Sequence, residues 1–263
     1  MSAIRNHSSG QRFGHVSRTS LGRLTLAAAA AALLSVAAAG HAGAEGGPKA
    51  LVDALREAAR KVNGFTAEVS VKAGAASQSG TLLYLAPDRV HMEMKVAGLG
   101  EQKVLSDGRT LWTITPQARL ATKVDLEAVQ RSWRRPLPNQ ATAIRDVFEI
   151  VKPGTVKFVK DETIDGVKTR FFEAVPEVGV DLRRAAVPDR LRAWVGEDGL
   201  LRRQVLMKGD EVLMDARFRI TDKNPRIHPG LFKFEPPADY QVQDLTESTL
   251  KTLRSLESGQ TGT

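Results

Sequence analysis

A chain of 263 residues with no cysteine and 5% aromatic residues excludes a disulfide-stapled secreted module and any thiol-based catalysis. Its formal charge of +8 overstates its basicity, because the first 44 residues hold Arg5, Arg12, Arg18 and Arg23 and no acidic residue, leaving 34 basic against 30 acidic residues, a net of +4. That balance offers nucleic acid no clustered basic surface, and the two basic runs, Arg131-Ser132-Trp133-Arg134-Arg135 and Arg183-Arg184, read as solvated faces.

Residues 1–44 have the layout of a secretory signal peptide. The four Arg form a cationic region, Leu24 to Val36 is an apolar run rich in Ala and Leu, and Ala42-Gly43-Ala44 is a small-x-small cleavage site. The competing reading is an uncleaved anchor, for which the run from Leu24 to Ala39 is short and Ala-rich. Cleavage near Ala44 places the mature chain in a bacterial periplasm. No cysteine follows the leader to take a lipid, and the twin-Arg signature is absent. The expected organisation is one domain over residues 45–257 and a disordered tail over 258–263.

The mature chain opens on a helix. Pro48 sits in its first turn, Leu51, Val52, Leu55, Ala58, Ala59 and Val62 recur at helical spacing, and Asn63-Gly64 ends it. Strands follow. Phe65, Ala67, Val69 and Val71 alternate with Thr66, Glu68, Ser70 and Lys72; Gly74 to Gly80 reads as a turn, and Thr81 to Leu85 returns. After Pro87-Asp88, Val90, Met92, Met94 and Val96 alternate with Arg89, His91, Glu93 and Lys95, and Asp107-Gly108 closes a hairpin between Gln102–Ser106 and Thr110–Thr115. Strands about ten residues apart with turns between them predict an antiparallel sheet.

The middle is helical. Leu126, Val129 and Trp133 lie at i, i+3 and i+7 behind Asp125 as N-cap, as far as Pro136-Leu137-Pro138. A second helix, with Asn139 as its cap, puts Ile144, Val147, Phe148 and Val151 on one stripe. Strands resume at Val156–Val159 and Lys168–Val175 around Asp165-Gly166, and a loop of unassigned structure covers residues 178–190. From Asp198 the pattern is a meander: Leu200 to Met207 between two turn signals of Gly and Asp, then Val212, Met214, Ala216, Phe218 and Ile220 on one face. Asn224-Pro225 breaks that strand, Phe232-x-Phe234 reads as a short strand stopped by Pro236-Pro237, and Leu245 to Leu256 is a final helix.

Catalytic signals are missing. The part after residue 44 has two histidines, His91 and His228, with no neighbours at metal-ligand spacing, so no metal site is expected. There is no G-x-S-x-G elbow, H-E-x-x-H or P-loop, and Gly98-Leu99-Gly100 lacks the third glycine of a dinucleotide fingerprint. No catalytic residue and no cofactor is assigned.

Taken in order, Phe65-Thr66-Ala67, Gly80-Thr81-Leu82-Leu83-Tyr84, Pro87-Asp88-Arg89-Val90, Ser106-Asp107-Gly108-Arg109-Thr110-Leu111-Trp112 and Phe232-Lys233-Phe234-Glu235-Pro236-Pro237 resemble the outer-membrane lipoprotein carrier (LolA-like) superfamily. The resemblance implies a mainly β fold with covering helices, in which a curved antiparallel sheet forms an incomplete, half β-barrel around an apolar cavity. It also implies a function: a monomeric periplasmic carrier that takes lipoprotein acyl chains, or another lipid, from an inner-membrane donor to an outer-membrane acceptor. Residues 178–190 and the C-terminal helix depart from the compact carriers. Two other functions stay open, a binding protein that senses envelope lipoproteins and an exported lipid hydrolase.

The candidates for the cavity and its lid are Val69, Met92, Met94, Trp112, Trp133, Phe148, Trp194, Met207 and Met214. Flexible thioethers fit variable chains, and Trp133, on a helix expected to face the sheet, is the lid candidate. Ordinary core packing is the competing reading for each. By resemblance, Arg89 ties a helical lid to the sheet or meets an anionic head group, against the plainer reading of a solvated Arg.

Overall fold

The computed structural model describes residues 48–98, 100–132, 144–177 and 187–257. The leader, Trp133, the Asn139 cap, residues 178–186 of the unassigned loop and the tail lie outside the described residues.

Among the described residues twelve strands form one open, curved sheet. Helix α1 (Pro48–Arg60) leads into β1 (Gly64–Ala73), β2 (Ala76–Leu85), β3 (Arg89–Val96), β4 (Gly100–Ser106), β5 (Thr110–Thr115) and β6 (Leu120–Asp125). The short helix α2 (Leu126–Ser132) and a 3-10 turn at Val147–Ile150 come next. Then follow β7 (Lys157–Ile164), β8 (Val167–Ala174), β9 (Arg190–Gly196), β10 (Leu201–Lys208), β11 (Glu211–Lys223), β12 (Gln241–Asp244) and helix α3 (Thr246–Glu257). Strands β1–β6 and β7–β11 are two antiparallel meanders, joined where β1 pairs with β11. The final pair, β12 on β6, is parallel, so the expected antiparallel sheet holds for all but its last strand.

The alternation of β1 survives in three dimensions because both of its edges are paired. Ala67, Val69 and Val71 share a face with Leu82, Gly80 and Gln78 on one side and with Ile220, Phe218 and Ala216 on the other. Helices sit on that face. Val52, Leu55 and Ala59 of α1 and Val62 just after it are buried, each larger side chain contributing about 1.5–3 kcal/mol. At the other end Val129 of α2 and Leu250 and Leu253 of α3 pack with Val124 of β6. Asp125 caps α2 as expected, its Oδ1 accepting the N–H of Ala128 at 2.8 Å.

Two glycines are required by close approach. Gly199 closes the β9–β10 hairpin at φ +77°, and a Cβ there would lie 2.1 Å from the carbonyl oxygen of Leu55, so the turn seats directly on α1. A Cβ on Gly80 would lie 1.8 Å from the carbonyl oxygen of Glu93 on the neighbouring strand.

Four local expectations are corrected. The turn read from Gly74 to Gly80 is only two residues long, since Ala73 pairs with Ala76 and the small residues after it continue the ladder. Strand β6 has no counterpart among the sequence expectations, because Thr122 and Lys123 interrupt its apolar pattern. The stripe from Ile144 to Val151 is not a continuous helix: Asp146 accepts the N–H of Phe148 at 3.1 Å and starts the 3-10 turn. Phe232-x-Phe234 is not a strand. Pro229–Phe232 is a 3-10 turn, prolines remove the donors a ladder needs, and the two phenylalanines fill separate sites. The meander of β9–β11 therefore lies inside the sheet, and β12 forms the closing edge.

Candidate functional site

Cross-strand register assigns every side chain of β1–β6 to one of two faces. On the helix-bearing face lie Phe65, Ala67, Val69 and Val71, then Leu82 and Tyr84, Val90, Met92, Met94 and Val96, Val104, Leu111 and Val124, with Gln78, Gln102, Ser106, Thr113, Thr115 and Thr122 among them. None of these carries a charge. The opposite face of the same strands carries Glu68, Lys72, Arg89, Glu93, Lys95, Glu101, Lys103 and Lys123.

One end of the uncharged face is sealed. Phe65 and Tyr84 are buried with ring centroids 5.2 Å apart. Arg145 lies across Tyr84, donating to its hydroxyl at 3.1 Å and to the carbonyl oxygens of Ala59 and Arg60 at 3.3 and 3.4 Å. A guanidinium on the last carbonyls of α1 satisfies acceptors that a helix end leaves unpaired and complements its dipole. Burial pushes the Tyr84 hydroxyl above its ordinary pKa, with Arg145 opposing. Beside it, Arg56 bonds Asp146 at 2.8 Å, yet burial outweighs that partner and holds the Asp146 carboxyl above the usual range. Phe148 completes the seal, edge-on to Phe172 at 5.1 Å.

Further along the same face the packing opens. Val71, Met92, Val104, Leu111 and Thr113 are only half-buried, whereas Val69, Leu82 and Met94 beside them are buried. Apolar side chains that remain part-exposed inside a helix-bearing face can take an apolar ligand without breaking existing contacts.

The sequence candidates divide between the faces. Val69, Met92, Met94 and Met214 share the helix-bearing face, and Phe148 packs over it. Trp112, Trp194, Met207 and Arg89 point the other way. Trp112 lies with Leu105, Ile114 and Ala121 under Phe234 and Tyr240, its ring 5.3 Å from Phe234. Trp194 stacks on Phe171 at 4.6 Å with the Arg203 guanidinium 4.8 Å above it, and Met207 and Val205 pack in the same cluster. Arg203 is held in turn by both oxygens of Asp215, at 3.0 and 2.8 Å. These groups already have partners. Arg145, which no sequence expectation named, joins the end of α1 to Tyr84 of the sheet. A spacing signal for it was lacking, since its partners are backbone carbonyls 85 and 86 positions away.

Several charges of the opposite face are paired. Glu93 accepts from Lys103 at 2.8 Å and contacts His91 at 3.0 Å, and the two hold its carboxyl below the ordinary value. His91 also meets the carbonyl oxygen of Leu231 at 2.7 Å. An open cleft of about 670 Å³ near the β9–β10 turn is lined by Lys168, Glu197, Asp198, Arg202 and Lys223 among others. Asp198 there bonds Arg202 at 2.7 Å and Lys223 at 3.3 Å, so its opposite charges neutralise one another. Among the described residues no helix is long and apolar enough to cross a membrane.

Solved structures offer likenesses at low identity. A crystal structure of an uncharacterized conserved protein from Thermus thermophilus aligns at a TM-score of 0.51 and 10% identity, covering 75% of this chain and 98% of that one. Lipoprotein LppX of Mycobacterium tuberculosis aligns at 0.46 and 11%, over 68% and 98% of the two chains. A LolA superfamily protein from Nitrosomonas europaea aligns at 0.37 and 12%, over 72% and 98%. No protein-family model and no curated protein sequence matches the chain. At such identities the likeness is one of fold alone. An open, curved, almost wholly antiparallel sheet with its helices gathered on one face matches the fold expected from the sequence resemblance.

Proposed function

We propose that this chain binds acyl chains of a lipid or lipoprotein on the helix-bearing face and shields them while they cross the periplasm toward the outer membrane. The observation that carries this reading is the absence of charge from that face of β1–β6, together with the half-buried Met92, Val104 and Leu111 at its centre. Each methylene removed from water contributes about 0.8 kcal/mol, so a chain of about a dozen needs roughly 10 kcal/mol of replacement environment. A charged groove cannot supply that; an uncharged sheet face covered by helices can. The leader read from residues 1–44 supplies export, an inner-membrane donor loads the protein, and an outer-membrane acceptor competes the cargo away. The role is carriage rather than catalysis, by a monomer.

Native extraction followed by lipid mass spectrometry tests this. The expected result is a reproducible acyl lipid or acylated protein that leaves when acceptor vesicles are added. Empty protein in repeated preparations, with no apolar probe bound, would overturn it. Turnover of a labelled lipid would replace carriage with hydrolysis, and a stable protein partner without lipid would replace it with sensing.

A further inference from the structure

The uncharged face changes character along the sheet. Over β1–β3 it presents Phe65, Val69, Leu82, Met92 and Met94, with Gln78 at one end; over β4–β6 the polar Gln102, Ser106, Thr113, Thr115 and Thr122 stand among Val104, Leu111 and Val124. Four of this second group are among the few buried polar side chains of the described residues, with Gln102 exposed by only 7%. Ser106 is spent locally, its Oγ accepting the N–H of Gly108 at 3.2 Å. Buried Thr169 and Arg202, elsewhere in the sheet, also have partners in Glu162 and Asp198. Gln102 differs. Its Nε2 is buried and has no hydrogen-bond partner.

A buried amide N–H without an acceptor opposes folding, and natural proteins hold few of them. Gln102 stands opposite Met94 on β3, where the methionines give way to hydroxyls. The missing partner must be an acceptor. It must also be neutral, because this face of β1–β6 offers no cation to offset a phosphate or carboxylate, and an unpaired buried anion is strongly disfavoured.

We propose that Gln102 Nε2 donates to an ester or amide carbonyl of the bound ligand, with the acyl chain running from that carbonyl over Met94 and Met92. This inference rests on the acyl-binding reading above and adds to it the chemical class of the linkage: a neutral acyl ester or acyl amide rather than a free fatty acid or a plain hydrocarbon. Group for group, one face then reads both parts of such a ligand, the threonine half taking the linkage and the methionine half the chain.

The test uses the full mature chain and displacement of bound 1-N-phenylnaphthylamine by two competitors of similar length, methyl oleate and 8-heptadecene, which lacks the carbonyl. The wild-type protein is expected to prefer the ester by about tenfold, the value of one added hydrogen bond. Gln102→Leu should abolish that preference by weakening the ester while leaving the hydrocarbon unchanged, and should raise Tm because an orphaned donor is removed. Equal affinity of the wild type for both competitors would overturn the inference and leave acyl binding standing, and that measurement needs no variant. Equal weakening of both by Gln102→Leu, or a fall in its Tm, would likewise assign Gln102 to packing. Failure of both competitors to displace the probe would overturn the inference and the acyl-binding reading together.

Discussion

Large apolar side chains stand on both faces of this sheet and end in opposite states. On one, Trp194 lies between Phe171 and Arg203, and Arg203 is held by Asp215, so each group is satisfied by the next. On the other, Met92, Val104 and Leu111 stay half-buried and Gln102 Nε2 has no partner. Saturated contacts stabilise a fold and leave nothing for a ligand; unsaturated ones weaken it slightly and leave capacity to bind. The aromatic residues that draw the eye in the sequence belong to the first kind.

Several variants would break or sharpen that contrast. Trp194→Ala should show the largest effect, a loss of about 3–5 kcal/mol in urea unfolding, with lipid affinity unchanged; a parallel loss of binding at temperatures where the variant is folded would place Trp194 in the site. Gly199→Ala should cost about 3 kcal/mol, since the new Cβ meets the Leu55 carbonyl in a left-handed turn. Its damage should concentrate at α1, seen as faster amide exchange over residues 50–60 than over β8–β10. Met92→Asp should behave in the reverse way to Trp194→Ala. Fluorescent-lipid affinity should fall by at least about tenfold while the melting temperature changes little, because a half-buried side chain keeps access to water.

The smallest effect lies at the last helix. Asp244 accepts the N–H of Thr246 at 2.9 Å and contacts Lys123 at 3.2 Å, and the bonds from Thr246 lead in lowering its pKa to about 2. A carboxyl lowered on folding contributes stability above its unfolded pKa of about 3.8 and loses it as pH falls toward about 2. Asp244→Ala should therefore cost about 1 kcal/mol at neutral pH, as a lost helix cap does, and the difference between variant and wild type should shrink in unfolding experiments as pH falls from about 4 through about 2.

Much of the fold was legible because strands alternate strictly. The Phe65–Val71 and Val90–Val96 patterns, the Asp107-Gly108 hairpin and the Asp125 cap all act between near neighbours, where local spacing carries the information. What spacing cannot carry is which two distant strands meet. The pairing of β1 with β11 had no local signal, and without it Trp194 and Met92 could not be assigned to different faces. The Phe-x-Phe motif misled for a related reason: period two describes a strand or two anchors on a crossing loop equally well until the prolines are weighed. Of the site, the methionine pair was visible and its polar complement was not, because Gln102 and the threonines look in sequence like residues bound for water.

The same β1–β11 seam has a consequence for the history of the molecule. It pairs Phe65 with Lys223 and Lys72 with Asp215, contacts far apart in sequence that close late and slow folding. Because synthesis proceeds from the N-terminus, the first meander is complete while β1 still has one bare edge, and that edge stays open until nearly the whole chain has appeared. The uncharged face of β1–β6 is thus assembled early, within the first meander, and the helix that packs at its Val124 end, α3, is made last, so that end of the face waits through most of synthesis for its cover.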